Sequence, residues 1–180
     1  MITRPEAEAI LASMTQSPSL LRHMKTVAWV MEAYANHFGE NEDEWYVAGL
    51  LHDADYEAFP DQHPSVIVTR LRQLGENRIA NAIAAHYTKW NQPYETRLDK
   101  ALLACDELTG FIVACCQVRP DGLIGLEPKS VIKKLKDKGF AAKVERDEVY
   151  QGAERLGVEL TAHIAFIIQA LRAHAHELGL

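Results

Sequence analysis

Apolar residues return at every third or fourth position along almost the whole chain, and no alternating run of β-branched residues is long enough for a strand. A chain patterned in this way can bury its side chains only as packed helices, so the expected fold class is all-α. Punctuation divides the pattern. A first helix is expected over about Pro5 to Met14, and Ser17-Pro18 opens a second, with serine as N-cap and proline at the first helical position, that Gly39 closes. A third begins after Asn41 and runs through WYVAGLLHDA towards Pro60. A fourth runs from His63-Pro64 to Gly75, a fifth (ENRIANAIAAHY) reaches Pro93, and a sixth extends from about Tyr94 to Pro120.

After the loop holding Pro120, Gly122 and Gly125, the composition turns lysine-rich in KSVIKKLKDKGF. A single long amphipathic helix is expected from about Val158 to Glu177. The organisation expected is therefore a helical body over residues 1–120 and a helical extension, 121–180, packed on it. With 48% hydrophobic and 24% charged residues in 180, the chain has the balance of a globular protein with a sizeable core. A net charge of −6 argues against a broad nucleic-acid-binding face but leaves room for a small phosphorylated ligand. Cys115 and Cys116 are adjacent and Cys105 stands apart, so neither a disulfide framework nor a C-x-x-C site is indicated. No run approaches the roughly 18 apolar residues of a membrane span. Acidic residues stand where a leader would be apolar, so a soluble, unprocessed cytoplasmic protein is expected.

Chemistry concentrates in His23, His52-Asp53, His63, His86 and Asp106, each at or near an apolar helical face. His23 shares a face with Val27, Val30 and Tyr34, and Asp106 with Leu102, Thr109 and Val113. A carboxylate on such a face is costly to bury unless paired or bound to a cation. Imidazole nitrogens with carboxylate oxygens suit a divalent transition metal such as Fe, Mn, Ni, Co or Zn better than calcium. Adjacent residues sit about 100° apart on a helix, so His52 and Asp53 can serve one ion only at a helix end, where GLLHDADYEAF places them.

The order H…HD…D resembles the HD superfamily of metal-dependent phosphohydrolases, and His63 and His86 are similar to the histidines of its binuclear members. GLLHDADYE, AIAAHY, ALLACDELTGFI and LEPKSVIKKLKDKGFAAKVERDEV extend the likeness to small bacterial HD hydrolases. The resemblance implies an HD bundle of about six helices with a C-terminal extension. His23, His52, Asp53 and Asp106 would hold one metal, and Asp53 would bridge to a second held by His63 and His86. Catalysis would depend on Asp53 and His52. Asp55, Tyr56 and Lys89, close in sequence to these ligands, are candidates for substrate contact. Asp55 and Tyr56 replace the glycine and lysine of the H-D-I-G-K form found in cyclic-dinucleotide phosphodiesterases, so cleavage of those substrates is not expected.

The activity expected is hydrolysis of a small phosphate ester or nucleotide by metal-activated water. The same ligands would also suit a di-iron oxygenase similar to myo-inositol oxygenase, or a non-catalytic regulatory module that binds a ligand. The expected partner is a small phosphorylated substrate, with no nucleic-acid polymer and no membrane; a homo-oligomer is compatible with the sequence. His37, His174 and His176 lie where helices end and favour positive charge. His163 and Cys105 read as core packing. The lysines from Lys129 to Lys143 are interrupted by Asp137 and read as a solvated face.

Overall fold

The computed structural model describes residues Met1 to Leu178, and among these all regular structure is helical. The helices are α1 (Arg4–Ala12), α2 (Pro18–Phe38), α3 (Glu42–Leu51), α4 (Ser65–Gln73), α5 (Asn77–His86), α6 (Arg97–Gln117), α7 (Pro128–Leu135), α8 (Arg146–Leu156), α9 (Leu160–Arg172) and α10 (Ala175–Leu178), with 3-10 turns at Pro60–Gln62 and Thr88–Trp90. None of the described helices is long and apolar enough to cross a membrane. Two compact units result, Met1–Leu102 and Leu103–Leu180.

In the first unit the expected punctuation operates. Asn41 accepts a hydrogen bond from the Glu44 amide at 2.9 Å and starts α3. Gly39, at φ +68°, ends α2 in the left-handed conformation that glycine adopts without strain. Ser17 occupies the N-cap of α2, but its side chain caps no amide, and its hydroxyl lies 3.0 Å from that of Ser19 instead. The start of α6 is fixed by a reciprocal pair. Asp99 accepts from the Thr96 amide at 2.7 Å, while the Thr96 hydroxyl accepts from the Asp99 amide at 3.3 Å.

Helices α2 and α3 pack along their lengths, burying Met24, Met31, Trp45, Leu50 and Leu51 completely or nearly so. Each such side chain contributes roughly 1.5 to 3 kcal/mol. Arg4 of α1 ties the pair together, reaching Glu32 of α2 at 2.7 Å and Asp43 of α3 at 2.6 Å, with its guanidinium 4.2 Å from the Tyr46 ring centre. Gly49 permits the closest approach of the two helices. A Cβ there would lie 2.8 Å from Ala28 Cα and 2.9 Å from Ala28 N, distances that no substituted residue could hold.

The second unit is where the sequence pattern misled. Helix α8 was not expected, and the tail is not one helix: α9 stops at Arg172 and a separate turn of helix, α10, follows. The segments between helices are held by arginines. Arg146 donates to the carbonyls of Leu135, Asp137, Phe140, Ala141 and Val144, and Arg172 donates to those of Leu123, Ile124 and Leu126. His163 is core, as expected: it is buried and its Nε2 donates to the Ala104 carbonyl at 2.8 Å, while burial depresses its pKa. All three cysteines are buried free thiols, and burial pushes Cys115 up to about 11.

Candidate metal centre

Helix α3 ends at Leu51 and His52 takes its C-cap position, so the helix end required for His52 and Asp53 to face one ion is present. Three elements of the first unit bring their histidines to this point: α2 supplies His23, the turn before α4 supplies His63, and the last residue of α5 is His86. Four Nε2 atoms converge on Asp53. Oδ2 lies 3.9 Å from His23 and 3.5 Å from His52, while Oδ1 lies 3.3 Å from His63 and 3.6 Å from His86. The His23 and His52 nitrogens are 3.2 Å apart.

All of these spacings exceed the roughly 2.7 to 2.9 Å of a charge-assisted hydrogen bond. They approach the roughly 3 to 3.4 Å that separates two atoms each bound at about 2.1 Å to one ion. Two groups could therefore hold a metal, His23 with His52 and Asp53, and Asp53 with His63 and His86.

The histidine tautomers fit the same reading. His52 Nδ1 donates to the Gly49 carbonyl at 2.7 Å and His86 Nδ1 donates to the Ile83 carbonyl at 2.5 Å. A carbonyl can only accept, so each Nδ1 carries a proton, and in the neutral imidazole Nε2 is left as the inward-facing lone pair. His63 Nδ1 donates to Asp55 Oδ1 at 2.7 Å, with the same consequence. Lone pairs crowded around a carboxylate repel one another unless a cation lies among them. His52 has no exposed surface, whereas His23 and Asp53 keep about a fifth of theirs, which leaves the cluster one open side.

Asp55 corrects the expectation of a substrate contact. It is fully buried and both oxygens are engaged, Oδ1 with His63 and Oδ2 with the Ile67 amide at 3.0 Å in the first turn of α4. It thus caps α4 and orients the His63 imidazole at once. Asp55→Asn is expected to weaken metal binding about 10- to 100-fold and to cost about 1 to 2 kcal/mol of stability. Titration against a competing chelator, beside denaturant melts, checks this; unchanged values in both would contradict it.

Tyr56 is half exposed, with its ring 5.4 Å from that of His63, and the Tyr87 ring stands 5.3 Å from His63 on another side. Lys89 is exposed, its Nζ 5.4 Å from the centre of Tyr87. Asp106 lies half-buried on α6 in the second unit, and its assignment as a ligand rests on the sequence pattern. Gly49 went unmarked in the sequence although it serves the site twice, through its carbonyl to His52 and through the approach of α2 that brings His23 near.

Residues 20–110, half of the chain, match the family model of the HD domain. The chain belongs to the HD-domain family. That match contains His23, His52, Asp53, His63, His86 and Asp106. Comparison of this HD-domain chain with curated proteins and with solved structures gave no match.

Proposed function

We propose that this HD-domain protein is a metal-dependent phosphohydrolase acting on a small phosphate ester or nucleotide, with two ions sharing Asp53. The observation that carries this reading is the division of the Asp53 carboxylate, one oxygen towards His23 and His52 and the other towards His63 and His86. Divalent ions bound there would bring a water's pKa towards neutrality and offset the charge that grows on phosphoryl oxygens.

The protein's own residues set the frame for that chemistry. Backbone carbonyls of α3 and α5 and the Asp55 carboxylate hold three imidazoles in the ligating tautomer. The partly exposed His23 and Asp53 mark the side from which a substrate phosphate would enter. In this reading Tyr56 and Lys89, exposed beside the His63 and Tyr87 rings, would meet its organic part and its charge.

Protein purified without added metal is expected to contain a transition metal by elemental analysis. It should release phosphate from a panel of phosphomonoesters and nucleotides when manganese, cobalt or nickel is added, and lose that activity to a chelator. Absence of metal with no uptake on reconstitution would remove the proposal's basis. Oxygen consumption by the iron-loaded protein, without phosphate release, would replace hydrolysis by oxygenase chemistry.

A further inference from the structure

The second unit holds a cavity of about 290 Å³ that the metal centre does not use, walled by the end of α6, the segment after it and the outer face of α7. Its apolar side is made by Cys115, Val118 and Leu126, and its polar side by Arg119, Ser130, Lys133, Lys134 and Asp137. Three cations therefore face one carboxylate, in a chain whose net charge is −6.

The cations are not equivalent. Arg119 is held by Asp121 through two contacts of 3.0 Å and donates to the Gly125 carbonyl, so it is fixed in place with its charge already matched. Neither Lys133 nor Lys134 pairs with a carboxylate among the described residues. Lys134 instead rests its ammonium 4.5 Å from the Phe140 ring centre, which positions it without neutralising it. Asp137 accepts a hydrogen bond from the Gly139 amide at 3.1 Å. Lys134 and Arg119 both act electrostatically on the Cys115 thiol against the effect of its burial, which places their charge beside the apolar wall.

A pocket with an apolar wall and a few convergent polar groups is the usual form of a small-molecule site, and this volume lies near the lower limit of about 300 Å³. We propose that the cavity binds a small organic anion, with an apolar body of a few carbons against Leu126, Cys115 and Val118 and its carboxylate or phosphate against Lys133 and Lys134. An ordinary solvated lysine face would not have the buried apolar side chains of Cys115 and Leu126 beside it. Lys133 and Lys134 bring to one pocket two ammonium groups outside any ion pair among the described residues, and an anion there would be drawn to both. This site stands independently of the phosphohydrolase reading, since none of its residues belongs to the metal centre.

The probes are hexanoate and hexyl phosphate, titrated into isotopically labelled full-length protein while backbone amide shifts are followed. Saturable shifts are expected at Val118, Ser130, Lys133 and Lys134, and the tighter probe identifies the preferred anion. The double variant Lys133→Ala/Lys134→Ala, at one exposed and one half-buried position, should weaken binding at least tenfold, and Val118→Asp, at the exposed rim, should do so without touching either lysine. Hexylammonium should not bind, and inorganic phosphate should bind at least tenfold more weakly than hexyl phosphate. Shifts that fail to saturate, equal binding of hexylammonium, equal affinity for inorganic and hexyl phosphate, or unchanged affinity in the double variant would each overturn the proposal.

Discussion

Asp53→Ala is expected to empty both metal positions and to lower turnover by at least about a thousandfold, the loss of several kcal/mol of transition-state stabilisation. Asp53 faces both histidine pairs, so its removal takes an oxygen from each. The fold should persist, because Asp53 lies beyond the end of α3 and keeps part of its surface in solvent. Lys89→Ala provides the comparison. That residue is exposed and touches no ligand, so about a tenfold loss is expected with metal content unchanged. Steady-state kinetics and elemental analysis on both variants check the contrast. Near-normal activity in Asp53→Ala, or equal losses in the two, would contradict the bridging role.

Gly49→Ala is expected to give a large loss of stability from adding a single methyl group. The new Cβ would meet the backbone of Val27 and Ala28 at 3.0 Å or less, and backbone cannot turn aside as a flexible side chain can. Forced overpacking of this kind costs about 3 kcal/mol, or roughly 6 to 12 °C in Tm for a chain of this size. Metal affinity should fall as well, because separation of α2 from α3 pulls His23 from His52. Thermal melts with and without chelator measure both effects. A Tm within about 2 °C of the parent, with metal binding intact, would show that the helices yield at little cost.

The helices of the first unit were legible because their ends carry residues with local mechanisms, Asn41, Gly39 and Gly75 among them. Helix α8 was not legible. Its sequence, RDEVYQGAERL, buries Val149, Gly152 and Ala153, so one apolar side chain and two small residues replace the recurrent large ones that announce an amphipathic helix. The break between α9 and α10 falls at Ala173 and His174, where neither glycine nor proline marks a stop. At the candidate site the histidines and Asp53 that come together stood out in the sequence through their order and their apolar surroundings. The role of Asp55 did not, because it depends on α4 beginning close enough for the Ile67 amide to reach a carboxylate twelve residues earlier, a tertiary fact that no local pattern encodes.

That double attachment has a consequence for how the position can vary. One oxygen of Asp55 serves a helix and the other holds the His63 imidazole, so a substitution there fails two unrelated requirements together, and a compensating change near α4 cannot repair the imidazole, nor one near His63 the helix. Drift at position 55 would require two simultaneous compensations, whereas at Tyr56, one residue on and half exposed, a single change can be absorbed. For folding alone the two neighbours thus differ in latitude, and a random mutagenesis library selected only for soluble protein should already deplete variation at Asp55 while leaving Tyr56 free.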